Sequence, residues 1–186
     1  MRNSFLVAIC ALCASCSAPD QESVRHVAAV EVRLATSADH KDLIAILRRH
    51  AAVDGSVHVD DVTERWKDFE SQSGPVLPGG KGTIYVGVWR GWKDNELIAD
   101  VNDMGHPGRA WVTFVRGKDI PRATRFRTAA LKDIRRRWPN AMTLPVLPSG
   151  GLPLPEHLRP TPNGYKVDPA AAANYDLPQS SPLIAR

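Results

Sequence analysis

Cysteine is nearly absent from this chain of 186 residues, since its three copies lie at positions 10, 13 and 16. Everything after Cys16 therefore contains no disulfide, no thiol nucleophile and no thiolate metal site. A domain without disulfides is stabilised by its hydrophobic core alone. The chain after Cys16 is long enough to form one such domain of ordinary size.

Long apolar runs and common catalytic motifs are also lacking. The apolar run at residues 5–13 (FLVAICALC) has nine residues, whereas a membrane-spanning helix needs about 20. No later stretch is more apolar, so we expect no transmembrane helix in the mature protein. There is no Gly-x-Ser-x-Gly elbow, and residues 79–83 (GGKGT) do not have the spacing of a phosphate-binding loop.

The first 16 residues have the layout of a secretory signal. Arg2 provides the charged start, residues 5–13 form a short apolar core, and small residues lead to Cys16. The segment 12–16 (LCASC) resembles the bacterial lipobox, although Cys13 stands where that motif usually has Leu. The resemblance implies that Cys16 is lipidated and becomes the first residue of the mature protein. The alternative is an ordinary secreted protein.

The lipobox resemblance also implies a location. Ser17 after the lipidated cysteine implies the outer membrane of a two-membrane envelope, so we expect a lipid-anchored envelope protein that faces the periplasm. We divide the chain into the following segments: a signal peptide at 1–15, a lipidated cysteine and tether at 16–26, an α+β domain at 27–147 and a proline-rich docking tail at 148–186.

Strand and helix patterns alternate along residues 27–147. Alternating or β-branched segments predict strands at 27–34, 83–89, 96–101, 110–116 and 142–146. Apolar residues at helical spacing predict helices at 39–52, from about 60, and at 121–138. This order predicts an α+β fold, an antiparallel sheet of four to five strands with two to three helices on one face.

Proline is concentrated at the end of the chain, where nine of the 15 prolines lie in residues 145–186. Such a content disfavours regular strand ladders and favours extended segments. Apolar residues such as Leu152, Leu158 and Tyr165 remain available for contacts. We therefore expect this tail to pack on the surface of the domain.

Basic residues are concentrated in the helix predicted at 121–138. Residues 109–137 contain ten Lys and Arg residues, against only Asp119 and Asp133 as acids. The candidate binding surface comprises Arg122, Arg125, Lys132 and Arg136. Its expected partners are anionic lipid, lipopolysaccharide or an acidic envelope protein, while nucleic acid does not suit the compartment. The alternative is an ordinary solvated helix face.

A second group of candidate residues lies between two predicted strands. Asp100, Asp103 and His106 are the densest cluster of side chains suited to acid–base chemistry or metal binding. However, Asp, Asn, Gly and Pro residues between strands are also typical of turns. The turn interpretation is the simpler one, and we expect neither a metal nor a cofactor.

Aromatic residues form the third candidate site. Tyr85 and Trp89 alternate with Ile84, Val86 and Val88, so the two rings share the opposite face of their strand. Together with Trp92 and Trp111 they would form a platform for sugars if exposed. Buried aromatics stabilise a small core strongly, so we expect them to be covered, with the proline-rich tail as the cover.

The sequence thus favours a non-catalytic binding or structural module of the cell envelope. The first alternative is an envelope hydrolase acting on cell-wall or polysaccharide material, which requires Asp100, Asp103 and His106 to meet in a pocket. The second is a sugar-binding module, which requires Tyr85, Trp89 and Trp111 to be exposed together.

Overall fold

The computed structural model describes residues 25–75, 77, 79–91 and 96–175. The predictions on the signal peptide, on Cys16 and on Trp92 concern residues outside these ranges. Within them, no helix has both the length and the apolar character that crossing a membrane requires.

Four strands and two helices form the centre of the domain. In chain order these elements are β1 (His26–Arg33), α1 (Ser37–Val53), β4 (Glu96–Asn102), β5 (Arg109–Val115), α3 (Ile120–Arg137) and β6 (Met142–Leu144). The strands lie in the order β4-β5-β1-β6, and β1 pairs antiparallel with both of its neighbours. This is the split β-α-β-β-α-β arrangement, which hosts many unrelated functions.

Both edges of this sheet are extended. Between α1 and β4 the chain forms β2 (Val57–Asp61), α2 (Thr63–Ser73) and β3 (Tyr85–Arg90), and after β6 it forms β7 (Leu158–Thr161) and β8 (Gly164–Val167). The full order is β2-β3-β4-β5-β1-β6-β8-β7. All neighbours are antiparallel except β6 and β8, which are parallel. The α+β class is confirmed, but the sheet is mixed and has eight strands in the described chain instead of four to five.

The larger sheet arises because the proline-rich tail contributes a strand pair. Pro160 lies in β7, which is the edge strand, and a proline is tolerated there because its missing N–H faces no neighbour. Gly164 allows β8 to approach β6: its φ is +148°, and a Cβ there would overlap the backbone of Thr143. The expectation that the proline content disfavours regular strand ladders is therefore wrong for residues 158–167.

The main core lies between one face of the sheet, here called the first face, and helices α1 and α3. Val30, Val112 and Phe114 point to this face from neighbouring strands and are buried. Leu47 and Ile134 are fully buried residues of the two helices that cover them. A capping box fixes the start of α1, where the side chain of Thr36 accepts a hydrogen bond from the backbone of Asp39 and the Asp39 carboxylate accepts one in return.

Helix α2 packs differently from α1 and α3. The ring of Trp66 lies 4.9 Å from that of Tyr85, and the Tyr85 hydroxyl donates a hydrogen bond to Glu70. Tyr85 precedes Val86, which belongs to the first-face core, and neighbouring strand residues point to opposite faces. Helix α2 therefore covers part of the opposite, second face.

The tail packs on the second face around the carboxylate of Glu31. This carboxylate accepts hydrogen bonds from the Tyr165 hydroxyl at 2.7 Å, from the Trp111 indole at 2.9 Å and from Arg109 at 3.3 Å. Leu152, Leu158 and Tyr165 of the tail also pack against a small core that contains Trp111. The contact thus joins β8 to the two central strands.

We expect the substitution Tyr165→Phe to lower the free energy of unfolding by about 1–3 kcal/mol. Burial and the adjacent Glu31 raise the pKa of the Tyr165 hydroxyl, so it stays a donor at neutral pH, and its removal leaves a buried carboxylate oxygen without its partner. Urea unfolding measures the change. The exposed neighbour Lys166→Gln is the control, and equal stabilities of the two variants would contradict the role given to Glu31.

Candidate functional site

Helix α3 has one side that is buried against the sheet and an opposite side that is exposed and rich in basic residues. Asp119 caps the helix by accepting a hydrogen bond from the backbone of Arg122, and Pro121 occupies the first turn. Ala123, Phe126, Ala130 and Ile134 are buried toward the sheet. The four candidate residues are all exposed and share one side of the helix: Arg122, Arg125, Lys132 and Arg136. We call this row the basic stripe.

Acidic side chains neutralise part of the basic stripe. Arg122 lies 3.5 Å from Asp119 and 3.7 Å from Asp54 at the end of α1. At the other end of α3, Arg136 lies 3.1 Å from Asp133. Arg122 and Arg136 are therefore already paired within the protein.

Asp133 is the centre of a charged cluster between α1 and α3. It is 9% exposed, and its oxygens lie 3.1 Å from Arg49, from Nε2 of His50 and from Arg136. Burial by itself raises the pKa of Asp133, but the hydrogen bond from His50 and the charges of Arg136, His50 and Arg49 outweigh it. The pKa of Asp133 is therefore lowered below its ordinary value, and the carboxylate stays ionised between the two helices.

Arg125 and Lys132 differ from the other two members of the basic stripe. Neither side chain forms a hydrogen bond or an ion pair with any residue in the described part of the chain. Both are exposed. The uncompensated positive charge of the basic stripe is therefore located at these two positions.

Two hollows lie along the groove between α1 and α3. The first, of about 340 Å³, contains the paired charges of Asp42, Arg49, Asp133 and Arg136. The second, of about 500 Å³, lies at the end of α1 and the start of α3, and we call it the terminal hollow. Its lining residues are His50, Val53, Asp54, Gly55, Arg122, Arg125, Phe126 and Ala129.

Basic groups outnumber acids in the terminal hollow. Asp54 is the one acid among the described residues that line it, and this carboxylate accepts hydrogen bonds from the Ser56 hydroxyl at 2.7 Å and from the Ser56 backbone at 3.2 Å. These bonds, together with the charge of Arg122, lower the pKa of Asp54. Arg125 thus meets no free acid among the residues that line the hollow.

The structure gives Asp103 a role in shaping a turn. Asp103 is fully buried, and its carboxylate accepts hydrogen bonds from the backbone and the hydroxyl of Thr83, at 2.7 and 2.6 Å, and from the backbone of Gly105 at 3.0 Å. His106 lies against Gly79 in the same loop region. Both residues therefore contribute to the loop contacts that the turn interpretation expects.

Asp100 has separate partners on the second face of the sheet. It accepts hydrogen bonds from Thr113 on β5 and from Asn102 at 3.0 Å. Burial raises the pKa of Asp100 despite the opposing effects of Thr113, His26 and Asn102. Among the described residues, no three His, Cys, Asp or Glu side chains are close enough to hold a metal ion.

The aromatic residues are not exposed as a platform. Tyr85 is 7% and Trp111 is 1% exposed. Trp111 is covered by the proline-rich tail, as expected, whereas Tyr85 is covered by Trp66 of α2. Trp89 folds over Gly87 of its own strand, where a Cβ would overlap its indole nitrogen. The described residues therefore offer no row of exposed rings for stacking on sugars.

The sequence interpretation missed the contribution of α1 to this site. His50 and Asp133 are 83 residues apart, and no local pattern connects them. A usable signal was present, since Asp133 is the one acid in the second half of a helix otherwise rich in Arg and Lys. An isolated acid of this kind indicates a partner outside its own helix.

Comparison with family models, with curated proteins and with solved structures gave no significant match for the chain.

We expect Asp133→Asn to change the pH dependence of stability. Because the pKa of Asp133 is lower in the folded than in the unfolded protein, its carboxylate stabilises the fold above the unfolded value of about 4. That stabilisation is lost as the pH falls through the folded-state pKa. The substitution should lower stability at pH 7 and flatten the decline between about pH 5 and pH 2.

Urea unfolding at a series of pH values measures this effect. Asp60→Asn is the matched control, because Asp60 forms an exposed ion pair with Arg65 and such pairs contribute little to stability. A decline with acidification that is as steep in Asp133→Asn as in the unchanged protein would contradict the assignment.

Proposed function

We propose that this chain is a lipid-anchored protein of the cell envelope that acts as a non-catalytic binding module. The anchor is Cys16, and the location is the outer membrane, facing the periplasm. The bound partner is the anionic lipid surface of the membrane, which the basic stripe of α3 contacts. The support for the anchor is the signal layout and the resemblance of residues 12–16 to a lipobox.

One observation supports the binding role above all others. Two of the four cations of the basic stripe, Arg125 and Lys132, are exposed and unpaired within the described chain. A cation near an anionic lipid surface contributes about 1 kcal/mol of attraction. Two unpaired cations add a useful electrostatic contribution to an acyl anchor, which is stable when two signals act together.

The proposed lipid anchor can be tested by the mass of the mature protein. Protein extracted from membranes should lack residues 1–15 and carry acyl chains on Cys16, because the lipidated cysteine becomes the new N-terminus. The variant Cys16→Ala should stay unprocessed, whereas Cys13→Ala should be processed normally. Intact mass spectrometry distinguishes these forms, and a soluble, unacylated product of the unchanged chain would contradict the anchor.

If the basic stripe contacts anionic lipid, the protein should prefer anionic to neutral membranes. The purified lipoprotein is allowed to partition between nanodiscs of phosphatidylcholine and nanodiscs that contain phosphatidylglycerol. The acyl anchor contributes equally to both, so the ratio reports the surface charges. We expect Arg125→Glu with Lys132→Glu to shift the ratio at least tenfold toward neutral nanodiscs, on the order of 1.4 kcal/mol or more.

The matched control for this experiment is Lys41→Glu with Lys166→Glu. Both residues are exposed, and neither has an ion pair within the described residues. The control changes the net charge by the same amount but lies away from the basic stripe. Equal shifts for the two double variants would show that net charge alone sets the preference and would contradict the proposed surface.

A further inference from the structure

We propose that the terminal hollow binds the phosphate group of an anionic lipid in the membrane that holds the anchor. This inference rests on the proposed function and deepens it, because it assigns the binding to one end of the basic stripe. Three observations carry it: the place where the chain enters the domain, the chemistry of the hollow, and the exposed apolar residues beside it.

The chain enters the domain at the same end as the terminal hollow. The backbone of Arg116, just after β5, donates a hydrogen bond to the carbonyl of Arg25, and His26 pairs with Val115. The chain turns from the end of β5 directly into α3. The first turn of α3 lies beside the end of α1, where Arg122 meets Asp54. Residue 25 and the hollow therefore lie at one end of the molecule.

Cys16 lies only nine residues before Arg25, so the proposed anchor is close in sequence to this end of the domain. Residues 16–24 span at most about 30 Å when fully extended. With Cys16 in the bilayer, Arg25 is held within that distance of the membrane surface, and Arg122 and Arg125 lie at the same end of the domain as Arg25. Arg136 lies 14 residues beyond Arg122, about 21 Å further along the helix axis. The tether thus favours the start of α3 over its end.

The chemistry of the terminal hollow suits a phosphate attached to an apolar group. Arg125 lines it with an unpaired guanidinium group, a group whose geometry suits two parallel hydrogen bonds to phosphate oxygens, and Arg122, paired with Asp119 and Asp54, lies beside it. Asp54, the acid of the hollow, is held by Ser56 and Arg122. Phe126 and Ala129 give the same hollow an apolar lining for the carbon atoms of a headgroup.

Exposed apolar side chains surround this end of the domain. Val53 in the last turn of α1 is 85% exposed, and Ile120 in the first turn of α3 is 42% exposed. Apolar residues flanked by cations are typical of surfaces that lie in the headgroup region of a membrane. An acidic soluble partner would explain the arginines but would give no role to Val53 and Ile120, so we favour the lipid.

The test uses the processed lipoprotein in micelles of a neutral detergent. It is titrated by calorimetry with dihexanoyl phosphatidylglycerol, with dihexanoyl phosphatidylcholine and with inorganic phosphate. We expect Arg125→Glu to weaken phosphatidylglycerol binding at least tenfold. Lys132→Glu, which lies on the same stripe outside the hollow, and Arg135→Glu, near the end of α3 and also outside the hollow, should change it less than twofold. Val53→Ser should weaken phosphatidylglycerol binding but leave phosphate binding unchanged.

The possible outcomes separate this inference from the proposed function. Equal weakening by Arg125→Glu and Lys132→Glu would overturn the hollow as the site while leaving the stripe intact. Phosphate binding as tight as that of the lipid, or binding of phosphatidylcholine as tight as that of phosphatidylglycerol, would overturn the anionic lipid as ligand. No effect of any variant, combined with no shift in nanodisc partition, would overturn both. Equal melting temperatures confirm that each variant is folded.

Discussion

The central position of β1 is the constraint on which the rest of the domain depends. This strand pairs with β5 on one side and β6 on the other. Its side chains alternate between the two faces of the sheet, and both faces are covered here. Val30 and Val32 join the core beneath α1 and α3. Ala29 and Glu31 face the tail, and Glu31 holds Tyr165 and Trp111 by hydrogen bonds. A one-residue slip of this strand would exchange the two sets and disrupt both cores.

The packing of α1 against α3 also decides how much of the basic charge is available. Asp133 lies between the helices, where its carboxylate accepts hydrogen bonds from Arg49 and His50 and forms an ion pair with Arg136. Asp39 and Asp42 of α1 form ion pairs with Arg137 of α3. These contacts join the helices and neutralise Arg136 and Arg137 at the end of α3. Within the basic stripe, Arg125 and Lys132 remain unpaired in the described chain, so its free positive charge lies at these two positions instead of being spread evenly along it.

The direction of the chain places that surface at the end of the domain where residue 25 enters it. Strand β1 runs away from this entry point, and α1 returns along the sheet, so the end of α1 lies beside the start of α3. The entry point, the exposed Val53 and the guanidinium groups of Arg122 and Arg125 consequently share one end. Nothing in a linear pattern requires this coincidence, and it follows from the order of the strands and the antiparallel packing of the two helices.

The sequence by itself determined the α+β class, the helices α1 and α3 to within about two residues, and the exposed row of cations on α3, because helical spacing and alternation are local properties. It did not determine that residues 158–167 add two strands, that Tyr85 lies under α2, or that Asp133 is bound by α1. These features join residues far apart in the chain, such as Glu31 and Tyr165 at a separation of 134. Local periodicity shows which side of an element is apolar, but only the tertiary structure selects which distant element covers it.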